Sequence, residues 1–443
     1  MFAKRVIFAG LLLITAIPLC GISDLGLPQV IINPRPGEDM ILAVTDIQPL
    51  RSDQAAALAP ALKIFNEVLW EDLKFSGYFT MAGKSFYPMQ PILKPEDVDF
   101  EAWSALPFRV SFITAGTLEL TGNTLRAELR IFDARQRTMS FGQRIAGDND
   151  QVRSIAHRWA DEIVYKLTAG ASRGIASTRI AYSSRRGGVK EIYTMDYDGF
   201  DQRTFTQNSS LNLFPKWSFD NSKLAFLSNK SGPWQINIYS YLDGSRLPFP
   251  VFPGKFVSTP VISPDGNRIA YTMGSDVYIA NLDGSEPRNI TNKSSINTSP
   301  TWSPTGNQIA FISERTGTPQ VFICDADGAN VRRIVKEGGD ADSPAWSPDG
   351  RWIAFHWKPR MAENYDIYLA EVSTGQIRQL TSPPGSNEYA SWAPDGRHIA
   401  FESDRTGSKQ IWIMLADSNT REMKMVTSQG ANTSPSWAGY QKK

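Results

Sequence analysis

Residues Ser343 to Phe355 read SPAWSPDGRWIAF, a strand ending at Trp346, a Pro-Asp-Gly turn and a second strand. Proline pre-sets φ for such a turn and glycine accepts its left-handed corner. Outward from this stretch the pattern recurs. An (I/L)-A-(Y/F) triplet begins at Ile180, Leu224, Ile269, Ile309, Ile353 and Ile399, in steps of 44, 45, 40, 44 and 46 residues. A second ladder runs seven residues ahead: Trp217, Ile262, Trp302, Trp346, Trp392 and Trp437. Two ladders in one register define an internal repeat.

The rest of the repeat follows. QVFICD (Gln320 to Asp325), closed by Asp327-Gly328, reads as a third strand, and IRQLT (Ile377 to Thr381) as a fourth. Four short strands per period describe propeller blades; an ordinary sandwich does not repeat at constant spacing. The second-strand ladder starts at Ile180 with no Trp segment before it, and the Trp ladder ends at Trp437 with no second strand after it. Six first strands and six second strands are therefore displaced by one around a ring. Residues 173–443 are expected to form an all-β six-bladed β-propeller. Its C-terminal strand 434–438, carrying SPSW (Ser434 to Trp437), is expected to join the blade that contains Arg179 to Tyr182, hiding edges that invite aggregation.

Residues 24–172 lack the repeat and read as an α/β domain: two helices on a small mixed sheet, behind an extended N-terminal segment rich in proline (Pro28, Pro34, Pro36). MILAVTDI (Met40 to Ile47) is expected to be a buried strand. Ala55 to Leu73 has helical spacing through Leu58, Leu62, Phe65, Leu69 and Leu73, with Pro60 near the first turn. Strands follow on both sides of Thr121-Gly122-Asn123. Gln151 to Leu167 is a second amphipathic helix, with Val152, Ile155, Trp159, Ile163 and Leu167 on one stripe and His157 on its polar edge.

Composition narrows the function. The chain has 443 residues, and its 46 basic and 45 acidic side chains lack the excess positive charge of a nucleic-acid binder. Two cysteines exclude a disulfide scaffold, and three histidines leave little for a multi-histidine metal centre. Lys4 and Arg5 precede an apolar run too short to span a bilayer comfortably, and Gly21-Ile22-Ser23 offers a cleavage site, so residues 1–23 are expected to be a signal peptide. Leu19 stands where lipidation of Cys20 would want a small residue. Cleavage leaves Cys324 as a lone thiol.

Catalysis finds little support. His157, His356 and His398 accompany no G-x-S-x-G elbow, and no phosphate-binding glycine motif occurs; structural or interfacial roles are expected for all three. No catalytic residue, metal ligand or cofactor is assigned. A hard cation in the channel, held by carboxylates and carbonyls, stays open. What remains is a surface. Strands alternate up and down, so the S-P-D-G turns share one face and the crossings between blades ring the channel mouth on the other. Those crossings supply the candidate site: Phe256, Ser258 and Thr259; Asn297, Thr298 and Ser299; Asp340, Asp342 and Ser343; Asn387, Glu388 and Tyr389; Asn432, Thr433 and Ser434. Small hydroxyl and amide groups with a few acids and aromatics suit a protein partner.

IAHRWADEIVYKLTAG followed by TRIAY (Ile155 to Tyr182), with GTLEL and LRAELRIFD upstream, resembles the TolB family, periplasmic propellers of the Tol–Pal envelope system. The resemblance covers the chain after residue 23. It implies a non-enzymatic periplasmic adaptor, monomeric in solution. It also implies that the channel face receives Pal, the peptidoglycan-associated lipoprotein, with Phe256, Thr259 and Thr298 at contact positions. Outer-membrane integrity and envelope constriction during cell division are the implied roles. In the family a short mature N-terminus reaches the inner-membrane partner TolA; here residues 24–39 are Pro-rich and depart from that segment. The third repeat has Ile262 in place of Trp, and the sixth has DSNT (Asp417 to Thr420) in place of Asp-Gly. A lyase- or peptidase-type propeller enzyme and a glycan-binding propeller are the alternatives.

Overall fold

A computed structural model describes residues 40–292, 295–359, 364–416 and 423–440. The expected signal peptide, residues 1–23, the segment 24–39 and the DSNT stretch at 417–420 lie outside the described residues. The chain divides into two compact units, one holding residues up to 71 and 79–159, the other 72–78 and 160 onward.

The first unit is built on a six-stranded mixed sheet. Strand Ile41–Val44 runs parallel to both Thr80–Met81 and Phe112–Thr121, and the long strands Phe112–Thr121, Thr124–Asp133 and Thr138–Asp148 form an antiparallel meander. The third of these was not singled out from the sequence. Helix α1 (Ala55–Phe75) buries Leu58, Ala61, Phe65, Val68 and Leu69, whereas Leu62 is only half-buried. Because α1 begins at Ala55, Pro60 lies in its second turn, on the exposed side, and the carbonyl of Ala56 loses its helical donor. A short helix α2 (Phe100–Ser104) is set by Asp99, whose Oδ1 accepts the N–H groups of Glu101 and Ala102 at 3.1 and 3.0 Å. Helix α3 (Val152–Leu167) buries its whole expected stripe. His157 is buried with it, not on a polar edge. Its place on the helix puts it beside the apolar stripe.

The second unit is a ring of six four-stranded antiparallel sheets. Five blades take their strands consecutively. The sixth joins the chain's last strand, Ala431–Trp437, to Arg179–Arg185, Glu191–Asp196 and Arg203–Thr204. The displaced ladders mean this: the ring closes by an antiparallel pairing of the last strand with the first. The Ile-Ala-aromatic triplets are fully buried between blades, as at Ile309, Ala310 and Phe311 or Ile353, Ala354 and Phe355. Neighbouring blades cover both faces of each second strand, so alternation is not needed.

Candidate functional site

The crossings are held by a recurrent buried joint. In four blades the carboxylate or amide that opens the third strand gathers a threonine hydroxyl from just past the fourth strand and the amide of an asparagine at the start of the next inner strand. Asp366 accepts Thr381 Oγ1 and Asn387 Nδ2, each at 2.8 Å. Asp276 accepts Thr291 Oγ1 at 2.7 Å and Asn297 Nδ2 at 3.1 Å. Gln410 Oε1 accepts Thr427 Oγ1 at 2.8 Å and Asn432 Nδ2 at 2.7 Å. Glu191 does the same with Thr206 and Asn212. The R-T-G loops complete two of these joints, Arg315 donating to Asn297 Oδ1 at 3.1 Å and Arg405 to Asn387 Oδ1 at 2.6 Å. The four asparagines are fully buried.

Beyond the joint each inner strand is interrupted at the same place. Phe214, Thr259, Ser299, Ser343, Tyr389 and Ser434 all have φ between 47° and 55°, and the register with the second strand shifts there in all six blades. A bulge of this kind re-aims side chains. Proline follows in five blades (Pro215, Pro260, Pro300, Pro344, Pro435), where a missing N–H costs no ladder bond. The non-glycine residues at positive φ cost about 1–3 kcal/mol each, so the surrounding ring must over-determine them.

At the crossing-side mouth the bulged residues and those just before them make contacts from blade to blade. Ser299 Oγ donates to Asp342 Oδ1 at 2.9 Å, which also accepts the N–H of Ser343. Glu402 is buried; its Oε2 accepts the N–H of Ser434 at 2.6 Å while Lys409 bridges Glu402 at 2.5 Å and Glu388 at 3.2 Å. Burial raises the pKa of the Glu402 carboxyl despite Lys409. Burial likewise works against charge on Lys409, but Glu402 and Glu388 outweigh it and its pKa is raised. The rings of Phe214 and Tyr389 meet with centroids 5.9 Å apart, and Tyr389 leans on His356 at 5.3 Å. His356 Nδ1 accepts the N–H of Tyr389 at 3.2 Å. Burial lowers its pKa against the pull of Asp342 and Glu388. The nitrogen a base would use is thus already taken by a backbone donor.

The expected site residues fall into two groups. Phe256 is exposed, with about half its surface free, and Thr259, Thr298, Ser299, Asp340, Asp342, Ser343, Glu388 and Tyr389 are half-buried around the mouth. Asn297, Asn387, Asn432, Ser258, Thr433 and Ser434 are buried. The three asparagines belong to the joints and present no side chain to a partner; Ser434 at its bulge and Thr433, held by Lys190 Nζ at 3.0 Å, serve the ring closure. Missed from the sequence was Phe214, in the crossing preceding the first full blade; Ile296, which opens the crossing Ile296 to Ser299 but was not named as a site residue, is exposed. The ladder offered a signal for Phe214, since Leu213-Phe214-Pro215 aligns with Thr298-Ser299-Pro300.

His398 is structural: it is fully buried, with Nδ1 2.6 Å from Asp395 Oδ2 and Nε2 2.9 Å from the carbonyl of Phe75. Burial would raise the Asp395 pKa, but His398 and two backbone N–H groups hold it below the usual carboxylate range. The A-H-x-x-A-D signature also acquires a role. Asp161 accepts the N–H groups of Ala176 and Ser177 at 2.8 and 2.9 Å, tying α3 to the loop that enters the first blade.

This arrangement has counterparts. A family model described as the TolB amino-terminal domain matches residues 31–139, and one described as the TolB beta propeller domain matches residues 165–360 and 334–443. A Tol-Pal system protein TolB of Anaeromyxobacter dehalogenans is 30% identical over 308 residues, 68% of this chain and 68% of that protein. Another, of Desulfosudis oleivorans, is 30% identical over 229 residues, 49% of this chain and 51% of its own, so the match spans about half the length of that relative. A crystal structure of TolB from Acinetobacter baumannii superposes with a TM-score of 0.77 at 24% identity, covering 91% of this chain and 98% of that one. Both domains, the six-bladed ring and the sequence identity agree: the chain belongs to the TolB family of Tol-Pal system proteins.

Proposed function

We propose that the crossing-side mouth of the propeller is the docking site for Pal, the peptidoglycan-associated lipoprotein, and that the protein works as a non-enzymatic periplasmic adaptor supporting outer-membrane integrity and envelope constriction during division. One observation carries this reading. The bulges turn a ring of half-buried hydroxyls, acids and aromatic edges toward the mouth, with Phe256 and Ile296 exposed at the rim. Apolar anchors at a polar, partly charged rim are what a specific protein interface uses. The Tol-Pal names of its relatives supply the partner system. A link to TolA through the N-terminal domain belongs to the same reading.

The test is capture of Pal by the purified full chain. Asp340→Lys combined with Asp342→Lys should weaken capture at least about tenfold, since truncating or reversing charges at close contacts costs on the order of 2 kcal/mol or more. Phe256→Ala should weaken it independently with an unchanged melting curve. Undiminished capture by all of these variants removes the assignment.

A further inference from the structure

The turn-side end of the channel holds a recess of about 410 Å³, within the range of small-molecule sites. Its walls are the edges of the ladder tryptophans and the prolines of the S-P turns. Those tryptophans offer no donors to a ligand where their indole N–H is already spent: Trp302 and Trp392 donate to the carbonyls of Val261 and Ala345 at 3.0 Å, and Trp346 to that of Gly350 at 3.1 Å. Apolar surface therefore predominates in the recess, interrupted by the hydroxyls of Ser218, Thr301, Ser347 and Ser391 and by one charged side chain. Lys216 sits two residues along the inner strand from the bulged Phe214, where the other five blades carry only small uncharged side chains such as Thr301 and Ser391.

Among the described residues no acid pairs with the Lys216 ammonium and no acceptor hydrogen-bonds it, and desolvation alone pushes its pKa down to about 8. An unpaired cation in such a place is costly unless something compensates it. The Phe214–Tyr389 pair, at the bulge position just before it, stands between this recess and the opposite mouth.

We propose that the recess binds a small organic acid, an aromatic or cyclic apolar body bearing one carboxylate, with Lys216 as the residue that pairs with the carboxylate. The apolar walls select the body and the single cation selects the charge. This site is distinct from the protein-docking mouth and does not depend on it.

The experiment is calorimetric titration of the full chain with 1-naphthoate, and with 1-naphthalenemethanol as the neutral analogue. Saturable binding of naphthoate is expected, about tenfold weaker for the alcohol, the range of a charge-assisted hydrogen bond. Lys216→Met should lose the same factor while melting no lower than the parent, because it removes a desolvated charge, and Lys216→Arg should retain binding. No saturable naphthoate binding by the parent chain, or equal binding by a folded Lys216→Met protein, would overturn the proposal.

Discussion

Asp161 lies beneath the loop that its carboxylate fastens, and Gly174 comes so close that a Cβ there would lie 2.1 Å from Asp161 Oδ1, at a φ of +73°. Desolvation outweighs the two backbone donors and pushes the carboxyl up to about 7. Between its ordinary value of 3.8 and that point the folded state holds a proton the unfolded chain has released. The sign follows: this group's contribution to stability is full below the unfolded pKa and is lost as pH rises through about 7, at no more than about 1.4 kcal/mol per pH unit. Asp161→Asn cannot titrate. Denaturant melts of both proteins at pH 4.5, 6 and 8 should show the parent's relative stability falling across the acidic interval and then levelling; a constant difference would contradict the shifted carboxyl. Such a residue is recognisable from its motif, but its task is not, because the two N–H groups it binds belong to a loop fifteen residues away.

At the scale of the element, the joints and bulges make the crossings work. Asn387→Ala leaves Asp366 with one donor fewer and Arg405 with one acceptor fewer, so a loss of about 1–3 kcal/mol is expected, read as a lower denaturant midpoint at unchanged slope. Asn387→Asp should cost more, since it places a second carboxylate against Asp366. A neutral Asn387→Ala would mean the joint is ornamental. The strands themselves were legible: the period, the S-P-D-G turns and the Ile-Ala-aromatic triplets are local signals that tertiary packing leaves intact. The asparagines were not. A polar residue at a crossing looks like surface in a one-dimensional reading, and only the spatial meeting of Asp366, Thr381 and Asn387, spread over 21 residues, reveals it as core. The bulges escaped for a related reason, because one extra residue in a strand breaks the two-residue alternation without changing composition. Strand Thr138–Asp148 and helix α2 carried too little periodicity to stand out.

For the whole molecule the decisive feature is that closure is made by seven residues at the chain's end. Strand Ala431–Trp437 supplies the inner edge of the sheet containing Arg179–Arg185 and is clasped from both neighbouring blades. Ser391 Oγ accepts the N–H of Trp437 at 2.9 Å, Ser436 Oγ accepts the N–H of Trp217 at 3.1 Å, and the Trp437 indole donates to Thr178 Oγ1 at 2.8 Å. Removing residues 431–443 would strip the Arg179–Arg185 strand of a ladder, uncover the blades on both sides and deprive buried Glu402 of the Ser434 N–H. Its cost should therefore exceed the about 3–5 kcal/mol of a single buried aromatic truncation, so the melting temperature should fall in the order parent, Trp437→Ala, truncated chain. A weaker but general fold defect would give the same order, so a rescue is needed to separate the two. A synthetic peptide of residues 431–443 binds the folded ring but has no site on the unfolded chain, and by mass action it should raise the truncated protein's melting temperature as its concentration increases. A scrambled peptide should not. If the truncated protein melts like the parent, or if the peptide has no effect on a destabilised one, the ring is being held by something other than its own last strand.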